Sequence, residues 1–147
     1  MAAVNPYLVF NGNCEEAFLF YKSVFGGEFA FIGRFKDMPV DENCSQTSSE
    51  SDEANRIMHV SLPIGQTILM GSDSTKQSGD VIFGGNFSVS INIDSTKEAD
   101  RIFNGLSAGG NPFMPMSKTF WGAYFGMFTD KFGVNWMVNF DENMPSS

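Results

Sequence analysis

Residues 7–27 read YLVFNGNCEEAFLFYKSVFGG, in which the signals run strand, turn, helix, stop. Tyr7-Leu8-Val9-Phe10 is a short apolar run of strand type, and Asn11-Gly12-Asn13 is turn chemistry. From there Ala17, Phe20, Tyr21, Val24 and Phe25 recur at the spacing of one helical face. Asn13 is the expected N-cap, and Glu16 makes a capping-box pair with it. Gly26-Gly27 closes the helix, because glycine accepts the left-handed conformation at a helix end.

The same order returns in residues 87–110, FSVSINIDSTKEADRIFNGLSAGG. Phe87, Val89, Ile91 and Ile93 alternate with Ser88, Ser90 and Asn92, the pattern of a half-buried strand. Ser95 is the expected cap, with Glu98 three residues on. Ala99, Ile102, Phe103 and Leu106 form the apolar stripe, and Gly109-Gly110 ends it. An internal repeat of this kind decides the fold before any other feature.

Three strand-like stretches follow each helix: 28–35, 56–62 and 66–70 in the first copy, and 112–116, 123–129 and 134–140 in the second. Pro63-Ile64-Gly65 and Asp130-Lys131-Phe132-Gly133 read as hairpin turns, with Asp130 as a turn residue. Each half is therefore βαβββ, one helix on one sheet face and a second face that needs a partner. The expected fold is α+β: two paired modules in a curved eight-stranded sheet around a cleft. The first module spans 5–73 and the second 86–141, within one domain over 1–147. The polar, acidic, Ser-rich stretch 37–55 has no counterpart in the second copy. It reads as a solvated loop, with a lid over the first half as the functional alternative. The tail from Asp141 to Ser147 reads as frayed.

Composition narrows the function. Sixteen Phe among 147 residues supply a core, which excludes global disorder. Nine basic against 17 acidic residues give a net charge of −8, so a basic surface for nucleic acid or an anionic membrane is not expected. No basic segment precedes an apolar run at the N-terminus, and no stretch reaches the roughly 18 apolar residues of a spanning helix. A cytoplasmic protein is expected, with Cys14 and Cys44 as free thiols rather than a redox pair.

The whole pattern resembles the vicinal oxygen chelate superfamily of glyoxalase I, extradiol dioxygenases and bleomycin-resistance proteins, and within it the PhnB-like subgroup. The resemblance is carried by Glu16-Ala17 through Phe20-Tyr21, Val24-Phe25-Gly26-Gly27 and Ile68-Leu69-Met70 with Ser72-Asp73. Near the C-terminus it is carried by Thr119-Phe120-Trp121-Gly122, Phe125-Gly126, Thr129 through Val134, and Trp136 through Asn139. It implies a homodimer and a cleft that takes a small molecule.

Metal-dependent members of the superfamily hold a divalent ion with His or Glu from the first and last strand of each module. The matching positions here are Pro6 or Tyr7, Leu69 or Met70, Ser88, and Met137, and the chain has a single histidine. None of these is a usual ligand for such an ion, so neither that metal nor any other cofactor is expected. No GxSxG elbow, P-loop or Cys/His cluster is present. A methyltransferase activity is not adopted either, for want of a glycine-rich strand-to-helix loop.

The expected ligand-binding residues are His59, Leu69, Met70, Ser88, Ser90, Trp121, Tyr124 and Met137. The methionines offer an adaptable apolar wall, or else simply fill the core. Trp121 and Tyr124 suit a pocket mouth or subunit interface, or else edge packing. His59 shares a face with Ile57 and Ser61, opposite Met58, Val60 and Leu62. It reads as a ligand contact, a structural polar residue or a general base, with Asp73 the candidate carboxylate partner. Metal-free binding of a partly apolar molecule is the first expectation. A metal-dependent or His59-dependent lyase, isomerase or dioxygenase is the alternative.

Overall fold

The computed structural model describes residues 4–37, 52–75 and 79–141. The solvated loop expected over 37–55 (or lid, in the alternative reading), Cys44 and the frayed tail lie outside these residues but for the edges of each segment. The chain divides into two compact units, Met1–Ile82 and Phe83–Ser147.

The first unit holds strand β1 (Tyr7–Phe10), helix α1 (Cys14–Phe25), strand β2 (Phe31–Arg34), the single helical turn α2 (Asp52–Asn55), and strands β3 (Ile57–Ile64) and β4 (Thr67–Asp73). The sheet order is β1-β4-β3-β2, with β1 parallel to β4 and the other pairs antiparallel. The second unit repeats this with β5 (Val89–Asn92), α3 (Thr96–Ser107), β6 (Asn111–Lys118), β7 (Ala123–Thr129) and β8 (Asn135–Asp141), in the order β5-β8-β7-β6. Strands β2 and β5 are shorter than the patterns over 28–35 and 87–93 suggest. The β3–β4 turn is two residues, Gly65-Gln66, with Gly65 at φ +59°, which glycine adopts without Cβ strain.

Each helix buries its stripe against one sheet face. In α1 the buried residues are Cys14, Ala17, Phe18 and Tyr21, so the stripe centres on Phe18, and Phe20 is only half-buried. Phe18 meets Phe10 and Tyr21 edge-on, at ring separations of 6.2 and 5.5 Å. It lies over Gly71 of β4, where a Cβ would come within 2.6 Å of its ring. In α3 the expected Ala99, Ile102, Phe103 and Leu106 are all buried. Phe103 packs edge-on against Phe128 at 5.1 Å and lies over Gly126 of β7, where a Cβ would come within 2.9 Å of it.

The helix starts differ. Ser95 Oγ accepts from the Glu98 N–H at 3.1 Å, as expected, while the Glu98 carboxylate pairs with Arg101. Asn13 makes no side-chain cap. Asp73, 96% buried at the end of β4, takes its place: Oδ1 accepts from the N–H groups of Gly12 and Cys14, and Oδ2 from that of Ile57, all at 2.9 Å. Asp130 is also buried. Its Oδ1 accepts from the N–H groups of Phe132 and Val134, and its Oδ2 from Trp136 Nε1 at 2.8 Å. It is a structural turn residue, as the sequence suggests.

The edge strand β6 carries Pro112 and Pro115, neither of which has an N–H to donate.

Candidate functional site

Residues directly opposite one another on neighbouring strands share a sheet face, so the register sorts every strand residue. In the first unit the helix side holds Leu8, Val60, Leu62 and Leu69, all buried. The far side carries two rows. One is Tyr7, Met70, Ser61 and Phe31 across β1, β4, β3 and β2. In the other, Val9 pairs with Ser72 and His59 with Gly33, and the β3–β4 register sets Ser72 against His59. His59 is therefore on the helix-distal face, half-buried. Tyr7 Oη lies 3.3 Å from its Nδ1, with the rings stacked at 5.7 Å. Phe31 places its ring 5.9 Å from that of His59, tilted by 38°. Its ring lies over Gly33, where a Cβ would meet it at 2.9 Å, so the missing side chain makes the room.

In the second unit the helix side holds Trp136, Val138 and Phe128, and the far side carries Ser90, Met137, Met127 and Met114 in one row. Asn92, Asn139, Phe125 and Ser117 form the next row, with Asn139 Nδ2 donating to Asn92 Oδ1 at 3.4 Å. Trp121, 57% exposed in the β6–β7 turn, reaches Phe125 at 6.5 Å. The rows of both units carry no Asp, Glu, Lys or Arg, in a chain where 18% of residues are of these types.

His59 and Met70 thus share the helix-distal face of the first unit, and Ser90 and Met137 that of the second. Ser88 precedes β5 and is half-buried. Two expected contacts lie elsewhere. Leu69 is 2% exposed and pairs with Leu62 on the helix side, one residue out of phase with Met70. Tyr124 lies on the helix side with Gly126 and Phe128, and its hydroxyl donates to Asp100 Oδ1 of α3 at 2.7 Å. That bond, and burial, push the phenol above its ordinary pKa. Asp73 is also on the helix side with three N–H donors, so it is not a partner for His59. Cys14 is a buried free thiol, with its pKa raised by burial and then by Asp73 and Glu15, which suppresses the nucleophilic thiolate. Phe31, Ser72, Met114 and Met127 were not among the expected contacts.

The positions matching the superfamily's metal ligands present at most the Tyr7 phenol, the Met70 and Met137 thioethers and the Ser88 hydroxyl. Among the described residues no three His, Cys, Asp or Glu side chains come together. This donor set does not fit the divalent ion of the metal-dependent members.

Two βαβββ units, each with a parallel first and last strand, define a protein of the glyoxalase/bleomycin-resistance fold. A glyoxalase-related enzyme from Fulvimarina pelagi shares that fold, with a TM-score of 0.65 at 17% identity, over 100% of this chain and 94% of its own. Residues 2–139 match the sequence model of the family described as 3-demethylubiquinone-9 3-methyltransferase. Protein YjdN of Escherichia coli (strain K12) is 34% identical over 97% of this chain and 98% of its own. The crystal structure of protein PA1353 from Pseudomonas aeruginosa is 42% identical, with a TM-score of 0.79, over 96% of this chain and 98% of that one. The chain belongs to this PhnB-like family. No helix among the described residues is long and apolar enough to cross a membrane.

Proposed function

We propose that the protein binds a small, partly apolar molecule on the helix-distal faces of its sheets, without a divalent metal, as a cytoplasmic homodimer. The observation that carries this reading is the row Ser90, Met137, Met127 and Met114. Thioethers adapt to an apolar ligand, while neighbouring hydroxyl and amide groups orient its polar atoms. His59, Met70, Ser88, Ser90, Trp121 and Met137 are the proposed contacts. The exposed apolar groups Phe113, Met114, Phe120 and Trp121 support a second copy as partner. The buried thiol of Cys14 suits a reducing compartment.

Elemental mass spectrometry of the untagged protein, before and after soaking in Ni, Zn, Mn and Fe(II), tests the metal-free reading. No stoichiometric metal is expected, and one tightly held ion per chain overturns it. Light scattering in solution is expected to give twice the chain mass. A second reading, His59 as general acid or base, is favoured by its contact with the Tyr7 hydroxyl. Turnover that survives His59→Ala unchanged removes that reading.

A further inference from the structure

We propose that the face around His59 is a hydrogen-bond-donor site for the carbonyl oxygen of an uncharged aromatic compound, with Tyr7 fixing the imidazole so that Nε2–H is presented. This rests on the small-molecule reading and names the ligand chemistry of the first sheet.

Tyr7 Oη and His59 Nδ1 are 3.3 Å apart. A phenol is a better donor than acceptor, and a neutral imidazole has one acceptor nitrogen. In the arrangement proposed, the phenol donates to Nδ1 and the ring proton is on Nε2. Nε2 has no hydrogen-bond partner among the described residues, and neither has the hydroxyl of Ser61 or of Ser72. Ser72 stands opposite His59, and Ser61 is two residues along the same strand. Three neutral donors thus share one patch.

The flanking rings set the shape of the guest. Tyr7 and Phe31 both approach the His59 ring, at interplanar angles of 29° and 38° to it. Three rings gathered on one face give a flat aromatic body partners for offset or edge-on packing. The two rows around the site, Tyr7, Met70, Ser61 and Phe31 with Val9, Ser72, His59 and Gly33, carry no Lys or Arg. A carboxylate or phosphate would meet no counter-charge there, so an uncharged oxygen fits best.

The test titrates the full chain with Prodan, a dimethylaminonaphthyl ethyl ketone, and with dimethylaminonaphthalene, which lacks the ketone. Prodan is expected to bind saturably and the ketone-free amine about tenfold more weakly. Tyr7→Phe and His59→Phe are each expected to weaken Prodan about tenfold and to leave the amine unchanged. Imidazole nitrogen NMR of the unsubstituted protein is expected to show a bare Nδ1 and a protonated Nε2. A proton on Nδ1 overturns the inference whatever the variants do. Prodan binding that is indifferent to Tyr7 and His59 but lost in Met127→Ala or Met137→Ala also overturns it, and leaves the small-molecule reading standing. Binding of neither probe overturns the inference and counts against that reading as well.

Discussion

Helix α1 is held at its amino end by Asp73, a carboxylate 59 positions from Cys14, whereas α3 is held by Ser95, the residue before its first turn. The two units share strand order, parallel closing pair and helix placement, yet they satisfy the same orphan N–H groups by a tertiary contact in one case and a local one in the other. The distinction has an energetic side. Asp73 serves N–H groups on α1 and at the start of β3, so it ties a helix to two strands. Ser95 serves one N–H, and losing it frays one turn.

Four substitutions probe that difference. Asp73→Ala is expected to cost about 3–5 kcal/mol in chemical denaturation, because buried N–H groups lose their acceptor together. Next come the bare glycines beneath each helix phenylalanine. Gly71→Ala is expected to cost about 2–3 kcal/mol, since the new methyl meets Phe18 and the backbone oxygen of Leu8. Ser95→Ala should cost about 1 kcal/mol. A cost equal to that of Asp73→Ala would break the comparison between tertiary and local caps.

The smallest effect is expected for Tyr124→Phe, about 0.5 kcal/mol at neutral pH, because the bond to Asp100 is partly exposed to water. Its pH dependence sharpens the picture. The phenol's pKa is raised in the folded protein by the Asp100 bond. The stabilisation is therefore complete below the unfolded value of about 10 and is lost as pH rises through the folded one. Denaturation curves of the two proteins are expected to converge at strongly alkaline pH.

Much of the fold was legible because its signals are local. The stripe of α3, the Ser95 cap, the alternation of Val89 to Asn92 and the Asp130 turn each depend on neighbours within a few residues. Asp73 was not legible as the cap of α1, because its partners are distant in sequence and Asn13 offers the right local chemistry without using it. The site was harder for a related reason. A one-residue slip exchanges sheet faces, so the sequence offers both Leu69 and Met70 as contacts while the register leaves only Met70 on the helix-distal face. Trp121 and Tyr124 carry the same expectation in the sequence, yet period-two alternation sends Tyr124 toward α3 and Phe125 away from it. Phe31 was missed because its proximity to His59 depends on Gly33, a residue with no side chain of its own to announce a role.

Pro112 and Pro115 on the edge strand β6 have a consequence beyond the folded monomer. An edge strand turns the N–H and C=O groups of alternate residues outward, a template onto which another chain can add strand by strand, the first step toward fibrillar aggregates. Each proline removes one donor from the strand, so runaway assembly through β6 is disfavoured.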